Sequence, residues 1–388
     1  MSKKNHIMYW SPSLVNIATN DAVLNSASSL IKYGKNYECT LFNFFGEFNS
    51  NKNELNNKGI KFLNYFNNYF CNFLPRHGKF KSRISFCLMI LLSFFPLKNT
   101  IQKIKPDFLI IHLLTSLPLF LLVIFRFETK FILRISGLPK LNFFRKKLWQ
   151  LALRNIYCVT CPTVSTLNYL KSLNIVENNK IKLLFDPIIK VSNFSKNKIN
   201  KQNKNFLPNY KNINYYLSIG RLTKQKNFLF LCDCFKEILK KYPNDKLLIA
   251  GEGEDRVKLE KFINSNNLQK NILLIGYRKD ILKLLDNSKG FILSSLWEDP
   301  GFVLIEAAMM KKFILSSNCI SGPRDIIVHN QNGILFKSDD KDDFLVKFES
   351  FKDLKIDKNK NLLFNNLKIA KNYTIFKHYK SLIKIFCK

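Results

Sequence analysis

Residues 294–315 read SSLWEDPGFVLIEAAMMKKFIL, with Glu298 and Glu306 separated by seven residues around a Pro-Gly turn. The pattern reads as strand end, loop and helix. Glu298 falls in the loop and Glu306 about one and a half turns into the helix. A helix N-terminus offers unpaired N–H groups and a partial positive charge. An anionic ligand held there leaves Glu306 free to accept hydrogen bonds from neighbouring hydroxyls. The arrangement suits a molecule with phosphates in the middle and hydroxyl-rich rings on either side, and a sugar nucleotide is such a molecule.

Other candidate loops precede and follow this one. Residues 220–227, GRLTKQKN, put Arg221 and Lys226 around a turn that opens on Gly220 and feeds a helix. Two cations and free amides suit a diphosphate, although a basic loop is also what a solvated turn looks like. Residues 250–254, AGEGE, offer Gly251 and Gly253, either for close approach to a ligand or for a plain tight turn. Tyr277 and Arg278 follow Gly276 in a loop whose backbone could read a flat base, and residues 321–324 are SGPR.

The elements that must position these loops alternate strictly. Short apolar runs at 215–219, 246–250, 272–275, 290–294 and 313–316 read as strands, separated by helical patterns at 226–241, 256–266, 281–285 and 302–311. Such alternation predicts a doubly wound parallel sheet, in which ligands bind at the carboxyl ends of the strands. Every candidate loop falls at that edge. The N-terminal half opens in the same βαβ manner: a strand at 6–10, a helical pattern through Val23, Leu24, Ala27, Leu30 and Ile31, and a strand at 37–45. Residues 51–72 are rich in Asn and Phe and predict no element.

Two apolar runs follow. Residues 86–95 are too short to span a membrane and read as a core helix or one lying against a bilayer. Residues 108–125, FLIIHLLTSLPLFLLVIF, just reach spanning length. Thr115, Ser116 and Pro118 instead predict a strand to Leu114, a cap at Thr115 or Ser116, and a new helix. Residues 141–156 predict a basic amphipathic helix, with Arg145, Lys146, Lys147 and Arg154 beside a stripe of Phe143, Phe144, Leu148 and Trp149. Its charged side reads as a solvated face or as a contact for anionic headgroups. A polar linker at 190–213 separates an N-terminal domain, 1–189, from a C-terminal domain, 214–370. The tail, 371–388, predicts a helix that packs back on the N-terminal domain.

As a set, GRL…KN at Gly220, Arg221, Lys226 and Asn227, IAGEGE at 249–254, the Glu298/Glu306 element and GPRDII…NGILF at 322–336 resemble the donor domain of glycosyltransferase family 4. These are the retaining sugar-nucleotide transferases of GT-B architecture. The N-terminal half is similar mainly in layout, in the order of PDFLIIHLL, RISG and CPTVSTLNYL. The resemblance implies an α/β fold of two Rossmann-like doubly wound domains facing across a cleft. It implies that Arg221 and Lys226 bind the diphosphate and stabilise it as it leaves. Glu306 would bind ribose hydroxyls, and Glu298 hydroxyls of the transferred sugar. The amides of Gly301 and Phe302, with Val303 beside them, would sit near the phosphates. Gly220, Gly251 and Gly253 would shape the donor site, and Tyr277 and Arg278 would hold the base. No metal or cofactor is implied; the donor would be UDP- or GDP-linked and the acceptor a glycan or a lipid-linked glycan. Two departures concern the other domain. The loop after its first strand, SPSLVNIATND, has no glycine where the family has a Gly-Gly pair. Where the family carries His-Gly, this chain reads Arg134-Ile-Ser-Gly137. His112, after a strand, reads as a core histidine or one facing the cleft.

The totals bound the rest. At 388 residues and 46% hydrophobic content the chain suits two globular domains. Its 62 Lys and Arg against 28 Asp and Glu give +34. That excess favours an anionic partner, unless it is a uniform drift of a composition rich in Lys, Asn, Ile and Phe. Nine scattered cysteines and an N-terminal stretch without an apolar signal core predict a reducing cytoplasm. Cys158 and Cys161 have CxxC spacing, but no second pair completes a metal or redox site. The expected partners are a sugar nucleotide, a glycan or lipid-linked acceptor and an anionic membrane surface, on whose cytoplasmic side the protein would lie peripherally, with no nucleic acid. The expected process is lipopolysaccharide or other cell-surface polysaccharide synthesis. Alternatives are a non-enzymatic basic protein that binds nucleic acid or anionic lipid, and a sugar-nucleotide epimerase of the same fold.

Overall fold

The computed structural model describes residues 4–14, 18–51, 57–66, 79–139, 141–195, 199 and 213–387. Most of the expected linker, 190–213, and half of 51–72 lie outside them. The chain divides into two compact units, one of residues 1–187 with 375–388 and one of residues 188–374.

The first unit is built on a seven-stranded parallel sheet. Its strands are β1 Asn5–Trp10, β2 Tyr37–Asn43, β3 Lys61–Asn64, β4 Phe108–Ile111, β5 Lys130–Arg134, β6 Cys158–Cys161 and β7 Ile181–Leu183, in the order 3-2-1-4-5-6-7. Helices α1 Ala18–Tyr33, α2 Lys79–Ile104, α3 Ser116–Ile124, α4 Phe143–Ala152 and α5 Val164–Ser172 connect them. Alternation along β1 explains why both sheet faces are covered. Met8 and Trp10 enter one core cluster, with Leu97, Leu119 and Trp149, and Ile7 and Tyr9 enter another, with Val23 and Leu30. Cys158 and Cys161 likewise fall on opposite faces of β6, both buried and neither in a disulfide, so their CxxC spacing brings no dithiol together.

Residues 108–125 form a strand and a helix as expected, but the strand ends at Ile111 and not at Leu114, whose φ is 48°. Thr115, however, has helical backbone angles and makes no side-chain cap bond, so α3 begins without the anticipated cap. The 86–95 run is the middle of the 26-residue helix α2. Helix α4 is shorter than its sequence pattern: Asn142 caps it by accepting a bond from the Arg145 amide at 2.9 Å. It buries Trp149 and Ala152 but leaves Phe143 and Phe144 77% and 82% exposed, so the two phenylalanines do not belong to the core stripe.

The second unit carries a six-stranded parallel sheet. Its strands are β8 Tyr215–Ile219, β9 Lys246–Ala250, β10 Ile272–Leu274, β11 Gly290–Leu293, β12 Ile314–Ser317 and β13 Ile334–Phe336, in the order 10-9-8-11-12-13. Its helices are α6 Phe228–Lys241, α7 Arg256–Ser265, α8 Ile281–Asn287, α9 Phe302–Met309, α10 Pro323–Ile326, α11 Lys341–Lys352 and α12 Lys360–Ala370. Asp340 caps α11 by accepting from the Asp343 amide at 2.9 Å, which accounts for part of the acidic cluster at 339–343. Strand β8 pairs with β9 on one side and β11 on the other, so the strand order reverses beside β8. That reversal is the switch point at which doubly wound sheets open a crevice.

The last helix, α13 Ile375–Phe386, returns to the first unit and packs on α1, with Phe376 edge-on to Tyr33 at 5.1 Å between ring centres. Its His378 is buried. Nδ1 lies 2.7 Å from the Phe185 carbonyl and must donate to it. Nε2 therefore accepts from the Ser26 hydroxyl at 2.9 Å, and Ser26 in turn accepts from Tyr9 at 3.0 Å. The chain of bonds requires a neutral ring. Burial, opposed by the carbonyl bond and helped by nearby Arg134, lowers the pKa to about 4. Between pH 6.5 and about 4 the unfolded chain holds a proton there that the folded chain refuses, so stability falls as pH falls through that window. At about pH 5 the loss is about 2 kcal/mol. Urea unfolding at pH 7 and pH 5 should show a His378→Gln variant with a pH dependence smaller by about that amount. Equal pH dependence in the two proteins would remove His378 from the account.

His112 is buried as well, beside the Tyr9 ring, and burial and Arg134 hold its pKa well below the usual value. Arg134 is itself buried. It pairs with Asp186 and donates to the Leu184 carbonyl at 2.6 Å. The RISG segment is thus tied to the strand end beyond β7.

Candidate active site

The loops after β8 and β11 meet because their strands are neighbours. A short 3-10 turn, Lys224–Lys226, ends at Asn227, whose φ of 53° turns the chain into α6. The Lys226 side chain folds back over Gly220. A Cβ on Gly220 would lie 2.8 Å from Lys226 Cε, so the glycine makes room for the lysine stem. Lys226 Nζ forms an ion pair with Glu298 Oε1, with Glu298 buried and Lys226 half-buried. The Ser295 hydroxyl donates to the same oxygen at 2.6 Å. Backbone bonds lock the two loops together: the Leu296 amide donates to the Gln225 carbonyl at 2.8 Å, and the Ser294 hydroxyl donates to the Lys226 carbonyl at 2.8 Å. A cation and a carboxylate from segments about seventy residues apart are thereby fixed at the switch point of the sheet.

Helix α9 starts two residues after Asp299-Pro300. Gly301 precedes it with φ 92°, and no side chain caps it. The first-turn amides of Phe302 and Val303 are therefore left for a ligand or solvent. Glu306 lies one turn further on and is half-buried. Gly322 closes the site from the β12 side: its φ is 62°, and a Cβ there would come within 2.2 Å of the Pro300 carbonyl oxygen. Arg324 donates from Nε to the Asn318 carbonyl in the same loop. Cys319 is adjacent, but burial pushes its thiol up to about 11, so it remains protonated at neutral pH and is no nucleophile.

The glycines after β9 admit a neighbouring backbone. Gly251 has φ 151°, and a Cβ would sit 1.8 Å from the Gly220 oxygen; a Cβ on Gly253 would sit 2.4 Å from the Leu222 oxygen. The close approach they permit is that of the 220–222 backbone. The Leu222 amide accordingly donates to the Glu252 carbonyl at 2.9 Å, and the Gly251 amide to the Gly276 carbonyl at 2.8 Å. Three strand-end loops are thus stacked backbone to backbone, which sets the height of Arg221 and Lys226. Tyr277 stands exposed beyond them. Arg278 is engaged by Asp280 in a two-pronged contact, Nε to Oδ1 at 2.8 Å and Nη2 to Oδ2 at 2.6 Å. Its guanidinium is committed, whereas the Tyr277 ring is open to solvent. Arg221 is exposed and makes no ion pair among the described residues.

The structure thus brings Gly220, Lys226, Glu298 and Gly301 to one place, with Gly251 and Gly253 as their support. Sequence reasoning passed over Ser294 and Ser295, and it quoted Gly322 within SGPR without assigning it a role. The two serines were legible as polar residues ending a buried strand, where an unpaired hydroxyl is costly unless it has a partner. Among the described residues no group of three His, Cys, Asp or Glu is placed to hold a metal ion.

Two doubly wound parallel domains of this kind, one bearing a Gly-Arg…Lys loop and a two-glutamate loop at its switch point, define the GT-B architecture. Residues 199–366 match the family model described as Glycosyl transferases group 1. The chain is 32% identical over 271 residues to an uncharacterized glycosyltransferase of Methanocaldococcus jannaschii, 66% of each chain being covered. It is 32% identical over 133 residues to the UDP-Gal:alpha-D-GlcNAc-diphosphoundecaprenol alpha-1,3-galactosyltransferase of Escherichia coli, 34% of each chain being covered. Anabaena HepE, whose structure holds UDP and glucose, superposes over 98% of this chain and 99% of its own, with a TM-score of 0.71 and 16% identity. The match therefore spans just under two thirds of the archaeal relative and about a third of the bacterial one.

Proposed function

We propose that this chain transfers a sugar from a nucleoside diphosphate donor to a glycan or lipid-linked acceptor, with retention at the anomeric carbon and without a metal ion. The Lys226–Glu298 pair, set beside the uncapped N-terminus of α9 at the switch point, carries the reading. The bond from the anomeric carbon to the diphosphate breaks as the acceptor oxygen attacks on the same face. The acceptor proton passes to an oxygen of the departing phosphate. Negative charge grows on that phosphate, and Arg221, Lys226 and the Phe302 and Val303 amides are the groups fixed to receive it. Glu298, once a donor draws Lys226 toward its phosphates, accepts bonds from the sugar hydroxyls, and Glu306 from the ribose. The exposed Tyr277 offers a face on which the base can stack. No cofactor is needed.

Support for the donor and acceptor classes comes from the relatives. The E. coli enzyme uses UDP-Gal and a diphosphoundecaprenol-linked acceptor, and HepE binds UDP. A UDP-linked donor therefore stands ahead of a GDP-linked one. Cell-surface polysaccharide synthesis, lipopolysaccharide included, is the process we assign, at the cytoplasmic side of a membrane and with no nucleic-acid partner. Thermal shift against UDP, GDP and ADP should show stabilisation by one uridine or guanosine diphosphate, and a matching donor panel with membrane extract should yield transfer. The absence of any diphosphate response, with duplex DNA binding tightly instead, would replace the enzyme with a basic binding protein.

A further inference from the structure

Over residues 84–97, helix α2 is apolar on both of its long sides. Met89, Ser93, Leu97 and Ile101 are buried at four-residue spacing, three of them in the core of the first unit. Ile84, Leu88, Leu91 and Phe95 follow one another at intervals of four, three and four and form an outward stripe, with Leu91 71% and Phe95 64% exposed. A surface helix of a water-soluble domain carries polar residues on that side; one apolar all round has a second apolar neighbour. By length and composition the stretch Ile84–Ile104 is sufficient to cross a membrane. Its inner side is nonetheless packed on the core, and only Lys105, Pro106 and Asp107 separate it from β4 inside the sheet. The helix therefore lies along the domain.

The exposed stripe continues onto the next helix. Phe94 of α2 and Phe120 of α3 have ring centres 6.3 Å apart, and Phe120, Val123 and Ile124 are exposed. Helix α4 packs beside α3 and begins with the exposed Phe143 and Phe144, followed directly by Arg145, Lys146 and Lys147. The charge of this region has one sign. From 79 to 154 the sequence has fourteen lysines and arginines and only two acids, Asp107 and Glu128. A uniform basic drift accounts for the charge but not for phenylalanines left in water beside it. Apolar side chains interleaved with cations on helices lying flat are the chemistry of an anionic bilayer interface.

We propose that the outer faces of α2 and α3, with the first turn of α4, form the surface by which the first unit lies in an anionic lipid leaflet. Leu91 and Phe95 enter the acyl boundary, and Arg145, Lys146 and Lys147 meet the headgroups. The inference deepens the acceptor part of the function proposed above, but it stands on the first unit alone, so it can survive the failure of the donor site.

The test is vesicle co-sedimentation of the full chain with phosphatidylcholine, with and without phosphatidylglycerol, at low and high salt. Wild type should bind the anionic vesicles and dissociate with salt. A Leu91→Ser/Phe95→Ser variant should partition at least about tenfold more weakly. Removal of the cations in Arg145→Ala/Lys146→Ala/Lys147→Ala should weaken binding about fivefold or more per charge. A Phe143→Ser/Phe144→Ser variant, altered only at exposed positions, repeats the test should the first fold poorly. Thermal shift with UDP serves as an independent readout of the second unit and should be unchanged in all three. Undiminished vesicle binding by the serine variants, or none by wild type, overturns the proposal. So would a vesicle-free dimer that Leu91→Ser/Phe95→Ser dissociates, because the face would then be a contact between copies.

Discussion

Arg221→Ala is expected to lower sugar transfer about a hundredfold or more while leaving the unfolding midpoint in place. The two halves of that expectation have separate origins. Arg221 follows Gly220 at the carboxyl end of β8, is exposed and takes no part in an ion pair among the described residues, so its removal costs the fold little. Its charge matters only when a diphosphate is leaving, because a fixed cation stabilises charge that develops in the transition state more than charge already solvated. The measurement is steady-state transfer with the donor found by the panel, alongside thermal unfolding. A variant with unchanged turnover would remove Arg221 from the leaving-group site. A variant with collapsed stability would show a structural role that its exposure denies.

Lys226→Ala is expected to damage both properties. Glu298 is buried, Lys226 is half-buried against it, and the remaining partner of the shared carboxylate oxygen is the Ser295 hydroxyl. Removing one member of such a pair strands a charge and costs about 3–5 kcal/mol. Replacing both, in Lys226→Met/Glu298→Leu, should restore most of the stability, because two apolar side chains of similar size have no charge to desolvate. The same double variant should remain inactive in transfer. Urea unfolding of the two single variants and the double variant yields the coupling directly, and a double variant as unstable as the sum of the singles would show that the pair does not act as a unit. Recovery of transfer in the apolar double variant would remove both residues from the chemistry.

The parts of this protein that were legible in its sequence are those governed by local periodicity. Runs such as 215–219 and 246–250 have no competing helical pattern, and the folded strands begin and end where the runs do. The alternation of such runs with helices leads to a parallel sheet because parallel neighbours need crossovers. Strands β3 and β7 were not legible. They are three or four residues long at the sheet edges, with partly exposed side chains and no strong pattern of their own. Phe143 and Phe144 misled for the opposite reason: a helical stripe of aromatics predicts burial, yet nothing in spacing alone says which part of the stripe has a neighbour.

The candidate site divides in the same way. The sequence by itself determined which residues could do the chemistry, because Arg221, Lys226, Glu298 and Glu306 lie in loops that strand alternation sends to one edge of one sheet. Only the tertiary structure decided which of them meet. The pairing of β8 with β11 places Lys226 on Glu298, and Gly251 and Gly253 turn out to admit the 220–222 backbone. Strand order is set by long-range packing, and no spacing along the chain encodes which two loops of a sheet become neighbours.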